Sequence, residues 1–268
     1  MNNDKFSLEG KTAIVTGAAG AKGIGRAIAL TLAGAGADVV VADVHVAGQD
    51  FDLEGTADAV RVLGRRSLAL KVDISNEKDV DNLISQTVGE FGTIDIMVNN
   101  AGVGAMLPST EIDRLYWDKM MDVNVRGCHF CCTAAGRVMK EKKKGSIINI
   151  ISTSGLKYAP KQYVYGISKA ANRFIITWLS RDFIPYNVRI NGIAPGMVET
   201  DINAHDIAQQ IKIDHSGGTK IQRPFGGGAF PQGRVCQTQD IANVALFLAS
   251  DASVYVSGQV IVVDGGLT

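Results

Sequence analysis

The chain has 268 residues, 46% of them hydrophobic and 20% charged, which is enough to bury a full core, and it reads as one domain. Lys plus Arg and Asp plus Glu number 27 each, so no overall field exists to recruit nucleic acid or an anionic membrane surface. Met1 to Ser7 has no apolar signal core, no apolar run is long enough to span a membrane, and the cysteines form no disulfide framework; a cytoplasmic protein is expected.

In chain order, Thr12 to Thr16 reads as a short apolar strand running into Gly17, and Ile24 to Ala33 as a helix rich in alanine and leucine. Strand, glycine turn and helix form the context of a nucleotide-binding turn, in which glycines let the backbone approach a pyrophosphate and the helix N-terminus presents unpaired N–H groups to its charge. Asp38 to Asp43 is a second strand ending in an acid, at the distance from the turn where a dinucleotide fold grips the adenosine ribose. Aspartate is also a common turn residue. Gly48 to Leu63 is a weaker helix, and Ser67 to Val72 a third strand that delivers Asp73 and Ile74.

Glu77 to Phe91 is an amphipathic helix with Val80, Leu83, Ile84, Val88 and Phe91 inward. Ile94 to Val98 then enters Asn99-Asn100-Ala101-Gly102, polar amides at a strand end that can brace the central sheet and line a cofactor floor. Thr110 to Lys140 is expected as one long helix with a kink, and it contains Asn124, a residue of modest helix propensity. It carries Cys128, Cys131 and Cys132, with Cys236 far away. Cys128-x-x-Cys131 with His129 has no second ligand cluster, so no metal is expected.

Ile147 to Ile151 is an apolar run ending in Ser152-Thr-Ser-Gly155, which puts Ser152 at the carboxyl end of a buried strand. Tyr165 to Trp178 carries helix formers, so Tyr165 and Lys169, four apart, share one helix face. An ammonium beside a phenol favours the phenolate, which suits the pair to general acid–base work. A serine hydroxyl nearby can hold the same substrate oxygen. Tyr186 to Ala194 is a sixth strand ended by Pro195-Gly196, Gln239 to Ser250 a helix, and Gln259 to Val263 a final strand. Asp201 to Gln237 is glycine-rich without sustained periodicity, and a mobile substrate lid is expected there.

The glycine turn, Asn99-Asn100-Ala101-Gly102, Asn124, Ser152 with Gly155 behind it, and Tyr165-Gly-Ile-Ser-Lys169 together resemble the short-chain dehydrogenase/reductase family, from about Lys11 to Gly266. The resemblance implies a catalytic set of Asn124, Ser152, Tyr165 and Lys169. In it Asn124 marks a kink that organises a proton relay from Lys169 to solvent. It implies cofactor contacts at Gly17, Gly23, Ile24, Asp43, Asp73, Ile74, Asn100, Tyr165, Lys169, Pro195, Gly196, Val198 and Thr200, with Asp73 by the adenine ring and Val198 offering backbone to the carboxamide. It also implies a homotetramer. One departure stands out: the family turn has three residues between its first two glycines, whereas Ala18 to Lys22 makes five here.

The expectation is therefore an α/β fold, a Rossmann-type doubly wound parallel sheet, carrying an NAD-dependent oxidoreductase that interconverts a secondary alcohol and a ketone. Asp43 would bond the ribose hydroxyls of NAD and repel a 2'-phosphate; Lys22, just before Gly23, pulls towards NADP. NAD is favoured because a strand fixes Asp43. The alternatives are an NADP-dependent ketone reductase of 3-oxoacyl type, an epimerase or dehydratase, which usually needs a larger carboxyl-terminal domain, and a non-catalytic nucleotide-binding regulator.

Overall fold

The computed structural model describes residues 5–44, 51–104, 106–200, 232 and 234–268. Its seven strands are β1 (Thr12–Thr16), β2 (Asp38–Asp43), β3 (Ser67–Lys71), β4 (Ile96–Asn99), β5 (Gly145–Ile150), β6 (Val188–Pro195) and β7 (Val260–Val263). They form one sheet in the order β3-β2-β1-β4-β5-β6-β7, with every pairing parallel. A parallel sheet covered on both faces needs near-continuous apolar strands. All residues of β1, β5 and β6 are buried accordingly. The order turns back between β1 and β4, which opens a crevice at their carboxyl ends.

Alternation along each strand feeds two cores. Val15, Val39, Val41, Val98 and Ile148 face α1 (Ile24–Gly34), α2 (Leu53–Val62) and α7 (Thr238–Ala249). Ile14, Val40, Met97, Ile147 and Ile190 face α3 (Glu77–Phe91), α5 (Cys128–Glu141) and α6 (Tyr163–Phe183). This is the doubly wound architecture expected.

The single helix expected over 110–140 is not one helix. Ser109–Glu111 is a 3-10 turn, and the Asp113 side chain accepts from the Tyr116 amide at 2.7 Å, which starts α4 (Arg114–Met121). A π turn over Asp122–Gly127 follows, then α5. The expected kink is thus a change of hydrogen-bond register centred on Asn124. The expected helix 48–63 is described only as Leu53–Val62, where Asp52 accepts from the Gly55 amide and caps it. Residues 45–50 and all of 201–231, the greater part of the expected lid, lie outside the described residues.

Candidate active site

The longer glycine turn is held from both sides. The Asp43 carboxylate accepts from the Ala19 amide at 3.0 Å, and the Asp52 amide donates to the Ala19 carbonyl at 2.8 Å. Gly20 bridges to Phe51, and the Thr56 hydroxyl donates to the Ala18 carbonyl at 2.9 Å. The two extra residues are therefore absorbed against the β2–α2 connection. Gly17 takes φ +69°, and a Cβ there would lie 2.7 Å from the Ala101 Cα; one on Gly25 would lie 2.3 Å from the Gly17 carbonyl. Both glycines are thus needed for protein to approach protein.

Asn100 closes the turn from the sheet, donating through Nδ2 to the carbonyls of Thr16 at 3.0 Å and Gly17 at 2.8 Å. Its side chain braces the turn's backbone.

These residues fit a dinucleotide. Gly23 begins α1 without any side-chain cap, and the first turn holds no acid, so the N–H groups around Ile24 stand ready for a pyrophosphate. Asp43 ends β2 beside them. Asp73 is exposed and accepts from the Ser75 amide at 2.9 Å, whereas Ile74 is buried and its side chain packs against Gly127, where a Cβ would lie 2.8 Å away. Ile74 can offer a cofactor its backbone only.

Tyr165, in the first turn of α6, is half-buried, and its hydroxyl has no hydrogen-bond partner among the described residues. The Lys169 ammonium lies 5.5 Å from its ring centroid, is 4% exposed, and donates to the Ile150 carbonyl at 3.1 Å. That contact pins α6 to the end of β5. Two residues on, buried Ser152 caps the 3-10 turn Thr153–Gly155 by accepting from the Ser154 amide at 3.1 Å. Ser152 therefore stands just past the strand, one short step beyond its expected place. A Cβ on Gly155 would lie 2.7 Å from the Ala170 amide, so only glycine lets this turn press onto α6 beside Lys169.

Asn124 is 1% exposed within the π turn. Its carboxamide clamps Val103 twice, accepting from its amide and donating to its carbonyl, both at 2.8 Å, and donates to Ser168 Oγ at 3.0 Å. A Cβ on Gly102 would sit 3.1 Å from Asn124 Oδ1 and 3.4 Å from Lys169 Nζ, and one on Gly104 would sit 3.2 Å from the Tyr165 ring. Three loops, one from each of β4, the π turn and β5, thus converge on the Tyr165–Lys169 face.

At the end of β6, the Gly196 amide donates to the Val263 carbonyl at 3.0 Å, and a Cβ on Gly196 would strike Asp264. Pro195 closes the strand, while Val198 and Thr200 are buried, with Val198 bridged to Cys236. These residues form a backbone turn fixed against the end of β7.

Sequence reasoning missed Asn172, whereas Gly104, Ser154 and Gln162 fall within 103–106 and 153–163, the segments in which substrate determinants are expected. Ser154 Oγ bonds both Ser152 Oγ, at 3.2 Å, and the Gln162 carboxamide, and Asn172 bonds the Asn124 backbone. The only signal for Asn172 was its seven-residue spacing from Tyr165 on α6. The cysteines are packing groups. Burial pushes the Cys131 thiol up, and the Cys128 contact with burial does the same to Cys132. Among the described residues, no three His, Cys, Asp or Glu side chains are grouped to hold a metal.

A profile of the family described as enoyl-(acyl carrier protein) reductase matches residues 17–268. A 2-dehydro-3-deoxy-D-gluconate 5-dehydrogenase of Pseudoalteromonas atlantica is 35% identical over 98% of both chains. A cyclohexanol dehydrogenase of a Rhodococcus species is also 35% identical, over 99% of this chain and 98% of its own. The structure of a 7 alpha-hydroxysteroid dehydrogenase with NADH and 7-oxo glycochenodeoxycholic acid superposes with a TM-score of 0.85 at 33% identity, covering 99% of this chain and 97% of that one. Fold and site define an oxidoreductase of the dinucleotide-binding class acting on CH–OH groups through NAD or NADP. The chain belongs to the short-chain dehydrogenase/reductase family.

Proposed function

We propose that the protein is an NAD-dependent dehydrogenase that interconverts a secondary alcohol and a ketone in the cytoplasm, as a homotetramer. The observation that carries this most directly is the buried Lys169 ammonium beside the Tyr165 ring, with the Tyr165 hydroxyl unengaged among the described residues. When bound, the nicotinamide accepts or gives the hydride. Tyr165 takes the proton of the substrate hydroxyl in oxidation and returns it in reduction. Ser152 holds the substrate oxygen, and its own hydroxyl is oriented by Ser154 and, through it, Gln162.

Lys169 supplies positive charge to Tyr165 and to the ribose. Its bond to Ile150 leaves two ammonium protons for these tasks. Asn124 keeps the loop at Val103 in place and opens the relay beyond Lys169. Gly17, Gly23, Ile24 and the end of β2 hold the pyrophosphate and adenosine ribose, with Asp43 selecting NAD. Asp73 and the Ile74 backbone sit at the adenine, while Pro195, Gly196, Val198 and Thr200 orient the carboxamide end. Asn100 serves the site by holding the turn.

Support for NAD comes from Asp43, fixed at a strand end, and from the NADH held by the hydroxysteroid dehydrogenase. Support for a tetramer comes from the apolar face of α6, where Phe174 and Trp178 are 63% and 61% exposed with rings 6.0 Å apart. The test is net NAD reduction with a panel of cyclohexanol, a 3-deoxy sugar acid and a hydroxysteroid. Reduction with at least one alcohol supports the proposal; none with any alcohol, under conditions where NAD binds, contradicts it.

A further inference from the structure

Tyr165, Ser168, Lys169 and Asn172 lie at i, i+3, i+4 and i+7 on α6, so they form one stripe. The last of them has no role in the proposed chemistry, yet Asn172 is only 2% exposed. A buried amide is costly unless its hydrogen bonds are made, so its partners say what it is for. Its Nδ2 donates to the main-chain carbonyl of Asn124 at 2.8 Å. Its Oδ1 is buried and has no donor among the described residues, which leaves an acceptor beside the π turn.

From that carbonyl a continuous set of contacts leads to the reacting groups. Asn172 fixes the Asn124 backbone, and the Asn124 carboxamide clamps both backbone groups of Val103. Val103 lies between Gly102, whose Cα faces Asn124 Oδ1 and Lys169 Nζ, and Gly104, whose Cα faces the Tyr165 ring. Ser168 ties the same unit back to α6, receiving from Asn124 and donating to the Tyr165 carbonyl at 2.7 Å. Resting on the function proposed above, we propose that Asn172 is a positioning residue for Tyr165 and Lys169, acting through the Asn124 carbonyl and the 102–104 backbone. It sets the wall against which the phenol and ammonium are held.

Asn172→Leu keeps the branch point and the number of heavy atoms, is bulkier, and removes both hydrogen-bonding functions; Asn172→Ala, which removes them without added bulk, is read beside it. Ile176→Val, one turn further along the buried face, is the control for lost packing alone. Two readouts are taken on the full-length protein. The first is amide hydrogen exchange of residues 102–104 and 122–127 without cofactor. The second is the pH profile of kcat and the KM for NAD with whichever panel alcohol the wild type oxidises. The expected result for Asn172→Leu is faster exchange in both segments, kcat reduced by about tenfold or more with a displaced pH profile, and KM for NAD within about twofold of wild type. Exchange matching Ile176→Val, or a kcat profile matching it, overturns the proposal. If Asn172→Leu does not fold, Asn172→Ala alone is read by the same criteria. A wild type that oxidises no alcohol defeats the function proposed above, and the exchange measurement still decides whether Asn172 holds the wall.

Discussion

The Asp43 carboxylate accepts the Ala19 amide at 3.0 Å, so the acid that ends β2 and the lengthened glycine turn are one hydrogen-bonded unit. If Asp43 selects the cofactor as proposed, that choice and the turn's conformation are coupled through this bond. Asp43→Ala removes the anchor of Ala19 and, on the proposed reading, the ribose acceptor and the charge that would repel a 2'-phosphate as well. A hydrogen bond to a charged group contributes roughly 1.5–3 kcal/mol, or about ten- to a hundredfold. The NAD/NADP ratio of kcat/KM should fall by about that factor or reverse. Asp43→Asn, which keeps an acceptor for Ala19 without the charge, should lose discrimination with a smaller loss of affinity for NAD. Specificity constants for both cofactors at one ionic strength check this; a wild type that favours NADP contradicts the role given to Asp43.

Arg189 of β6 is 7% exposed, and its guanidinium donates to the carbonyls of Leu248 at 2.8 Å and Ser250 at 3.3 Å and to Ser253 Oγ at 3.0 Å. It closes the carboxyl end of α7, where cations are favoured. Burial lowers its pKa from the ordinary guanidinium value, with the Asp251 charge opposing. Arg189→Met should destabilise the fold by about 1–3 kcal/mol, because the Leu248 and Ser250 carbonyls lose a charged donor and keep only the Ser146 and Ser253 hydroxyls. The urea midpoint reads this; a midpoint within error of wild type contradicts it.

Arg234 donates to both carboxylate oxygens of Asp240, at 2.6 and 2.9 Å, and the Gln237 amide donates to the same group at 2.8 Å. The Arg234 hydrogen bond, aided by the Gln237 amide and outweighing partial burial, holds the Asp240 carboxyl down to about 2. A folded-state pKa below the unfolded value of about 4 makes the contribution complete above that pH and lost as pH falls through about 2. Asp240→Asn should therefore be less stable than wild type at pH 6, and the gap should narrow between about pH 4 and 2. Urea titrations of both proteins at pH 6 and 3 measure the gap, which would stay constant if Asp240 were not paired.

Lys161 adopts φ +59° in the segment between Ser152 and Tyr165, where its carbonyl accepts from the Leu107 amide at 2.9 Å. A left-handed conformation costs a non-glycine residue roughly 1–2 kcal/mol, partly offset by the extra freedom glycine has when unfolded. Lys161→Gly should raise stability by about 0.5–1 kcal/mol. Lys161→Ala should not. Thermal midpoints of the two variants separate backbone relief from loss of the side chain.

Much of this was legible before any coordinates. Strand, glycine turn and acid at the end of β2 announced themselves because a parallel sheet demands apolar runs and a pyrophosphate turn demands glycine. Tyr165 and Lys169 were legible because four-residue spacing on a helix guarantees a shared face. The break before Arg114 was hidden because Asp113 acts as a cap only once its carboxylate meets the Tyr116 amide, and the same letters suit a helix interior. Asn172 was hidden for a different reason. An asparagine on a helix reads as surface until packing buries it, and its partner is a main-chain carbonyl that carries no residue signature.

The most direct test of the account is Tyr165→Phe, which removes one oxygen and keeps the ring that packs on Gly104 and faces Lys169. General acid–base groups contribute about a hundred- to ten-thousand-fold to turnover. Single-turnover NAD reduction should fall by a factor in that range while the dissociation constant for NAD stays within about twofold, and Tyr158→Phe and Tyr163→Phe, on rings 86% and 55% exposed, should keep their rates. A Tyr165→Phe rate within about threefold of wild type would contradict the account, because that loss is far below what a general acid–base group supplies.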